Sequence, residues 1–285
     1  MPAVSSVVMP EFERRSTDAD FPPETAQSSQ YTAPPRIRDC ERFRREVREF
    51  IDDALASNRS AAVAVVATGD ESPLMRRLAP KTAMSVAEFF RDQGESVLLI
   101  VDSITRFAHA ARDVAIAAGE LAVARGYAPS VFSDLPKLLE RAGPGEEGQG
   151  SITGVFSVLV DDDDLNDPVT DAIRGTLDGH IVLDCGIADQ GRYPAVNVLT
   201  SISRLAQTAW TPEQGNLIVK LRALIARFED TRDLRLMGGY RQGADAELDQ
   251  AVTLVPKIYE ALAQSPKSGP SKDAFHELTE FLAPK

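Results

Sequence analysis

Short apolar runs alternate with longer amphipathic stretches through the middle of the chain. Two of the runs, Ala61–Thr68 and Ser96–Ser103, are almost uniformly apolar and rich in β-branched residues, which is typical of parallel strands buried on both faces. Each run is followed by apolar residues at helical spacing, over Ser72–Gly94 and Ile104–Gly119. The first of these helices is expected to end with Gly94 as its C′ residue. The order strand, helix, strand, helix predicts a wound parallel sheet.

The pattern continues with strands and then changes to helices. Gly150–Asp161 and Asp178–Asp184 are further strand candidates, and beyond Trp210 the apolar spacing is helical throughout. The clearest helices there are predicted at Asn216–Asp233, Leu248–Gln264 and Lys272–Leu282. We therefore expect an α/β core over residues 37–210 and a C-terminal helical domain over residues 211–285.

The first 36 residues have no sustained period of either kind. Proline, serine, threonine, alanine and charged residues dominate this segment, which buries too little apolar surface to offset the entropy lost on ordering. We expect residues 1–36 to be mostly disordered or non-homologous; the alternative is a poorly packed extension with a short strand at Val4–Met9. Helical spacing then begins at Cys40–Ala56, which carries its charges on the opposite face.

Charge and composition exclude several classes of protein. The chain has 285 residues, and 31 basic against 43 acidic side chains give a formal net charge of −12. This excess of acid argues against nucleic-acid binding, which needs a basic face. No apolar run approaches the roughly 20 residues of a membrane span, and the N-terminus lacks the pattern of a signal peptide. Cys40 and Cys185 lie far apart in sequence, which indicates reduced thiols in the cytoplasm rather than a disulfide.

The strongest candidate for chemistry is Asp102, which ends the apolar run Val97–Val101. The carboxyl edge of a parallel sheet is where α/β folds place their ligand chemistry. In nucleotide hydrolases an acid at this position orients Mg²⁺ beside the β- and γ-phosphates. An acid that caps the following helix would give the same letters, so the pattern by itself leaves both interpretations open.

Three other features of the sequence are considered as ligand sites, and none has the specific pattern of such a site. Four glycines lie within Gly143–Gly150, but no GxxxxGK(S/T) phosphate loop occurs in the chain, so a mobile surface connection is favoured. Asp161–Asp164 is either a divalent-ion cluster or, as is usual for consecutive acids, a solvated turn. The three histidines do not have the spacing of metal ligands.

Two residues of the segment Gly191–Arg204 are also candidates. The guanidinium of Arg204 could neutralise developing phosphoryl charge, in its own subunit or across an interface, although most arginines are surface groups. The ring of Tyr193, which precedes Pro194, could cover a nucleotide base or serve as a packing residue. Spacing alone does not choose between these interpretations.

Seven motifs are recognisable as a set. They are REVREF (Arg45–Phe50), ATGDESPLMRR (Ala67–Arg77), FFRDQGESVLLIVDSITRF (Phe89–Phe107), GYAPSVFSDLPKLLERAGPGEEGQGSITGVFSVLV (Gly126–Val160), DGHIVLD (Asp178–Asp184), GRYPAVNVLTSISR (Gly191–Arg204) and GGYRQGADAELDQAV (Gly238–Val252). Together they resemble the flagellar and type III secretion export ATPases, relatives of the catalytic subunit of rotary ATP synthase. The resemblance runs nearly continuously from about Arg45 to the C-terminus, and its last motif is closer to the flagellar branch.

The resemblance implies a RecA-type (P-loop NTPase-like) core that hydrolyses ATP with Mg²⁺. It also implies a hexamer with nucleotide at the subunit interfaces and a C-terminal helical domain that faces the export gate. The implied partners are homologous ATPase subunits and the stalk, regulator and gate proteins of the flagellar export apparatus. The chain would then lie in the cytoplasm, at the membrane-embedded export apparatus, and would reach the membrane only through those partners.

Individual residues acquire roles from the same resemblance. Asp102 matches the acid that orients Mg²⁺, Tyr193 matches the aromatic residue near the adenine, and Arg204 matches the arginine finger donated to the neighbouring subunit. The family's catalytic glutamate polarises the attacking water. It corresponds to Glu41 if one residue is inserted, whereas direct alignment of REVREF places Arg42 there.

The chain departs from the family before its REVREF motif. Family members carry an N-terminal β-barrel, followed by a strand and a phosphate loop, and neither appears in this sequence. We therefore expect an N-terminally truncated chain with an incomplete parallel sheet and with weak or absent ATP binding. Three functional hypotheses follow: a flagellum-specific export ATPase, a catalytically inactive module that donates an arginine finger to a complete homologue, and a truncated product without function.

Overall fold

The computed structural model describes residues 6–11, 49, 52, 61–160, 167–265, 269 and 271–282. The chain divides into two compact units, Met1–Leu177 and Asp178–Lys285. The predicted boundary between residues 210 and 211 falls inside the second unit. The predicted helix Cys40–Ala56 lies outside the described residues, apart from Glu49 and Asp52.

A mixed sheet forms the centre of the first unit. Its strands among the described residues are β1 (Ser6–Glu11), β2 (Val63–Val65), β3 (Ser96–Val101), β4 (Gly143–Pro144) and β5 (Ser151–Phe156). Their spatial order is β2-β1-β3-β5-β4, in which β3 and β5 are parallel and β1 runs antiparallel to both of its neighbours. The α/β class is confirmed, and β1 overlaps the alternative strand predicted at Val4–Met9.

Burial alternates along β3. From Val97 to Val101 every second side chain is at most 2% exposed, whereas Leu98 and Ile100 are only half-buried. The prediction that both strands are buried on both faces is therefore wrong, and in β2 Val63 is exposed as well. The buried side chains of β3 share one hydrophobic core with the helix that precedes the strand, and Leu98 and Ile100 lie outside that core.

Two helices of the first unit, α1 (Pro73–Arg91) and α2 (Ile104–Ala117), begin at the predicted places. The structure also describes α3 (Pro129–Leu139) and α4 (Pro168–Thr176), for which no bounds were predicted. The hydroxyl of Ser72 caps α1 by accepting a hydrogen bond from the Met75 amide at 3.4 Å. Because α1 ends at Arg91 with Asp92 as its C-cap, the C′ residue is Gln93, and the predicted C′ residue, Gly94, lies one position further on with φ at +92°.

A bidentate ion pair joins α1 to the segment after α3. Arg141 donates from Nε to Glu88 Oε1 at 2.8 Å and from Nη2 to Glu88 Oε2 at 2.6 Å. Its Nη2 also donates to Ser85 Oγ at 3.0 Å. The hydrogen bonds from Arg141 lower the pKa of Glu88 below its ordinary value, against the effect of burial, which raises it.

This pKa shift predicts a pH-dependent contribution to stability. Glu88→Gln should lower the free energy of unfolding at neutral pH by about 1 kcal/mol or less, because the pair is partly exposed and screened by solvent. A lowered pKa stabilises the folded state above the unfolded-state value of about 4.3, and the stabilisation is lost as the pH falls through the folded-state pKa. In urea unfolding the difference between the variant and the natural protein should therefore shrink as the pH falls from the unfolded-state value through the folded-state pKa.

The matched control for this prediction is Glu146→Gln, which neutralises an exposed acid of the same unit. Its unfolding curve should follow that of the natural protein at every pH. A difference between Glu88→Gln and the natural protein that stays constant into the acid range would contradict the assigned role of the ion pair.

The second unit contains a two-stranded ribbon and a set of helices. The ribbon pairs β6 (Gly179–His180) with β7 (Ile202–Ser203) in antiparallel register. The helices that the structure describes are α5 (Cys185–Asp189), α6 (Ala206–Ala209), α7 (Pro212–Asp230), α8 (Arg232–Leu236), α9 (Ala246–Ala261) and α10 (Ala274–Leu282). Helices α7, α9 and α10 confirm the three that were predicted.

The predicted strand Asp178–Asp184 is mostly wrong. Only its first part forms a strand, β6, which pairs with β7 in a separate sheet, and Leu183 makes an isolated antiparallel bridge with Val196. The later part runs beside the loop that precedes β7 and bonds to its backbone. Val182 O accepts from the Asn197 amide at 2.8 Å, and the Asp184 amide donates to Ala195 O at 2.9 Å. Asp184 then caps α5 through the Gly186 amide at 2.8 Å.

Helices α7 and α9 form the core of the second unit. The buried side chains of this core are Leu221, Ile225, Ala251, Val255 and Ile258. Helix α7 begins one turn before its predicted start because Thr211 and Gln214 form a capping box ahead of Pro212. Within the described ranges, no helix combines the length and the apolar character needed to cross a membrane.

Candidate functional site

Asp102 lies directly after β3, where the chain turns into α2, and its side chain is exposed. The next residue, Ser103, is 4% exposed, and its hydroxyl accepts a hydrogen bond from the Arg106 amide at 3.4 Å. Ser103 is therefore the N-cap of α2. The helix-cap interpretation does not apply to Asp102, and its carboxylate is left for another partner.

That partner is Ser157, which follows the parallel strand β5. Its hydroxyl donates to Asp102 Oδ1 at 2.6 Å. The amide of Ser157 donates to Val101 O at 3.0 Å, and its carbonyl accepts from the Ile104 amide at 2.9 Å. Three hydrogen bonds from one residue thus fix the backbone on both sides of Asp102 and the orientation of its carboxylate.

Asp102 lines a small cleft whose chemistry suits a phosphorylated ligand. Two guanidinium groups, those of Arg76 and Arg106, line the same cleft, together with Phe107 and the backbone near Gly69. Arg76 is held in place because its Nε donates to Glu71 O at 3.2 Å. Arginine binds phosphate oxygens through its planar fork, so a carboxylate beside two arginines fits a ligand that combines phosphate with a metal ion.

The donor set at Asp102 fits Mg²⁺ that is shared with a phosphate. Mg²⁺ in nucleotide sites takes one or two carboxylates and completes its shell with phosphate oxygens and water. Across the described residues there is no group of three or more His, Cys, Asp or Glu side chains that could enclose a metal ion. The other candidate cluster, Asp161–Asp164, lies outside the described residues.

The glycine-rich segment Gly143–Gly150 precedes β5, whereas Asp102 follows the parallel strand β3. The two therefore lie at opposite ends of these strands. The Gly150 amide donates to Arg91 O at 2.8 Å, and a Cβ at Gly150 would lie 1.9 Å from Glu95 O. Glycine is therefore required here for close packing of two backbones. The segment is a connection between elements, and the phosphate-binding interpretation has no support.

Tyr193 lies in the second unit and is 59% exposed, so it is not a packing residue. Its carbonyl accepts a hydrogen bond from the Gln264 amide at 2.9 Å.

The residue before Tyr193, Arg192, stacks with its guanidinium carbon 3.9 Å from the ring centroid of Tyr259. Burial and a 2.5 Å hydrogen bond to Glu229 raise the pKa of Tyr259 to about 12. The turn that carries Tyr193 is thus attached to the end of α9.

Arg204 follows β7 and is exposed. Its amide donates to Asp178 O at 2.7 Å, which continues the pairing of the β6–β7 ribbon by one step. A Cβ at Gly179 would lie 2.6 Å from Ile202 O, so glycine is needed for the two strands to approach. The ribbon therefore fixes the backbone of Arg204 while the residue itself stays at the surface.

The segment before β7 is held by a polar network around Asn197. The Asn197 side-chain oxygen accepts from the amides of Leu199 at 3.1 Å and Thr200 at 3.2 Å. The hydroxyl of Ser201 donates to Asn197 O at 2.7 Å and accepts from the Val182 amide at 3.0 Å. The approach to Arg204 is consequently a defined loop rather than a free connection.

The structure distributes the predicted site residues over both units. Asp102 belongs to the first unit, and Tyr193 and Arg204 belong to the second. Glu41 lies outside the described residues, as does Arg42. The hydrogen bonds of Ser157 to Asp102 and the ribbon that carries Arg204 are thus built separately, one in each unit.

Comparison of the chain with known proteins identifies its family. Residues 40–203 match the family model described as the ATP synthase alpha/beta family, nucleotide-binding domain. The chain belongs to the ATP synthase alpha/beta family. Residues 210–280 match a second model, described as the T3SS EscN ATPase C-terminal domain. Arg204 lies in the short stretch between the two matches, directly after the end of the first.

The relatives within the family are export ATPases. The flagellum-specific ATP synthase of Rhizobium meliloti (strain 1021) is 62% identical over 238 residues, which cover 84% of this chain and 51% of that protein. The chain therefore spans about half the length of this relative. The resemblance to flagellar and type III export ATPases is confirmed.

Solved structures agree with this placement. The assembled ATPase EscN from the type III secretion system of enteropathogenic E. coli matches with a TM-score of 0.79 and 43% identity, over 84% of this chain and 58% of that one. EscN in complex with its central stalk EscO matches with a TM-score of 0.75 and 42% identity, over 84% and 57% of the two chains. The incomplete RecA-type fold with a helical C-terminal region is confirmed by these ATP synthase-like neighbours.

Sequence reasoning missed the hydrogen bonds of Ser157 to Asp102 and those of Asn197 in the loop before β7. The predicted strand Gly150–Asp161 contained Ser157, whereas β5 ends at Phe156, and the carboxyl end of a strand parallel to β3 is a position from which a side chain can reach Asp102. Asn197 offered a weaker signal, since an asparagine before a short polar run is typical of a side-chain cap on its own backbone.

Proposed function

We propose that this chain works within a ring of flagellar-type export ATPase subunits, which couples ATP hydrolysis to protein export, and that Arg204 is its main contribution to the chemistry. The observation that carries the proposal is the placement of Arg204 at an exposed position on a ribbon whose backbone is fixed by hydrogen bonds. An arginine finger must be accessible to the neighbouring subunit and must also be held in place.

Asp102 would hold Mg²⁺, and the ion would neutralise charge on the β- and γ-phosphates of ATP. Ser157 fixes the carboxylate of Asp102, and Arg76 and Arg106, which line the same cleft, would bind phosphate oxygens. The exposed ring of Tyr193 would cover the adenine. Glu41 is our candidate for the residue that polarises the attacking water.

The sequence contains no GxxxxGK(S/T) loop, which in this family supplies the backbone cradle and the lysine for the phosphates. This observation favours a second function over independent catalysis, namely that the chain acts as an interaction module that donates Arg204 to a complete homologue. The partners we propose are homologous subunits in a hexamer and the stalk, regulator and gate proteins of an export apparatus. EscN, which is 42% identical, is found in complex with its stalk EscO.

The first test asks whether the chain hydrolyses ATP alone. We expect phosphate release by the purified chain to equal the buffer rate, because loss of a single electrostatic donor already costs about 10²–10³ in rate and here the entire phosphate cradle is lacking. Asp102→Asn should change nothing in this assay. Turnover that depends on Asp102 would contradict the proposed division of roles and would show that the chain carries a complete site.

The second test uses a mixed assembly, which we define as this chain combined with a complete Rhizobium meliloti relative whose own finger arginine is replaced by alanine. The complete relative provides the phosphate loop, and this chain provides Arg204. Restored hydrolysis would support the proposal. A complete absence of complex at micromolar concentration would overturn it.

A further inference from the structure

Arg222 makes a contact that the site described so far does not use. It lies on α7, the first long helix of the second unit, directly after the buried residue Leu221. Its guanidinium donates from Nη2 to Leu199 O at 2.8 Å and from Nη1 to Ser201 O at 3.3 Å. One planar group thus binds two carbonyls of the segment that leads into β7 and Arg204.

The same segment packs on the helical core beneath it. Val198 and Leu199 are partly buried against the core that Leu221 and Ile225 form. Asn197 and Ser201 close the loop by local hydrogen bonds, but those bonds join the loop only to itself and to the neighbouring strand region. Arg222 therefore connects the loop to α7 by side-chain hydrogen bonds.

We propose that Arg222 is a positioning residue for Arg204. By holding the carbonyls of Leu199 and Ser201, it sets where the chain enters β7, and β7 carries Arg204 one residue after its end. The role requires an arginine, because a planar fork can reach two carbonyls at once whereas the ammonium of a lysine acts as a single point. The inference rests on the proposed function of Arg204.

The contact of Arg222 with the loop has a mechanical consequence in the proposed ring of ATPase subunits. Since α7 holds the loop before the finger, a displacement of α7 changes the position of Arg204. Small misplacements of a catalytic group lower the rate steeply, so the C-terminal helices can control the nucleotide site of the neighbouring subunit through Arg222.

The test measures ATP hydrolysis of the mixed assembly with variants of this chain. Arg222→Gln should lower kcat by about tenfold, with the KM for ATP and the Kd of the complex unchanged. Arg222→Lys should recover part of the loss. The matched control is Arg227→Gln on the same helix, because Arg227 pairs with Asp245 at 2.5 Å rather than with the loop, and it should leave kcat unchanged.

A double-variant comparison separates positioning from general destabilisation. In a chain that already carries Arg204→Ala, adding Arg222→Gln should cause no further loss, because Arg222 acts through Arg204. An equal loss in both backgrounds, or a weakened complex, overturns the positioning role. If Arg204→Ala lowers the rate but Arg222→Gln does not, only the inference fails. If Arg204→Ala has no effect, both the inference and the proposed function fail.

Discussion

Arg204→Ala in this chain should reduce the ATP hydrolysis of the mixed assembly by about 10³-fold or more, which is the usual contribution of an arginine finger to kcat. The physical reason is that the transferring phosphoryl group gains charge on its equatorial oxygens in the transition state, and a guanidinium stabilises this charge without needing to reorganise. Arg204 is exposed while its backbone is fixed by the β6–β7 ribbon, so removal of the side chain should not disturb the fold.

Two controls accompany this prediction. One separates the effect of the charge of Arg204 from that of its geometry, and the other separates an effect on catalysis from an effect on assembly. Arg204→Lys keeps the charge but loses the planar fork, and its rate should fall between those of the natural chain and the alanine variant. The Kd of the complex should be the same for all three chains. A rate that is insensitive to Arg204 in an assembly that forms normally would show that the finger comes from elsewhere.

The largest expected effect on stability belongs to Leu99→Ala. Leu99 is fully buried in the middle of β3, and its partner in β5 is Gly154. The substitution should lower the free energy of unfolding of the first unit by about 2–5 kcal/mol, because it removes buried apolar surface and leaves a cavity. The loss should be visible as faster amide hydrogen exchange throughout β3 and β5.

Hydrogen exchange suits this prediction because a chain with two units does not unfold as a single two-state system. The matched control is Leu121→Ala in the same unit, since Leu121 is 83% exposed and its truncation should change stability by less than about 0.5 kcal/mol. Equal effects of the two substitutions would contradict the placement of Leu99 at the centre of the core.

Local patterns in the sequence located most elements of the chain. The helical spacing after Ser72 and after Ser103 predicted α1 and α2, and the apolar run before Asp102 predicted β3. The motif letters placed the chain in a recognisable family, which the matches to residues 40–203 and 210–280 confirm. These successes share one cause, because each depends on residues that are close together in the chain.

The wrong predictions concern how many layers cover a strand and which strands pair. A uniformly apolar run suggested burial on both faces, but Leu98 and Ile100 lie outside the core that buries the alternate side chains of β3. The apolar residues of Asp178–Asp184 predicted a further strand of the sheet, yet the backbone of this segment bonds to β7 and to the loop that precedes β7. Apolar composition reports that a segment can be buried, and it does not report what will cover it.

By itself, the sequence determined the periods of the helices and strands, the family motifs and the candidate residues Asp102, Tyr193 and Arg204. Only the tertiary structure decided that Ser103 rather than Asp102 caps α2, and that Ser157, 55 residues further along the chain, holds the carboxylate of Asp102. Only the tertiary structure placed the guanidinium of Arg222 on the loop before Arg204. The physical reason is that such hydrogen bonds depend on which segments meet in the fold, and the spacing within one segment carries no information about its distant partners.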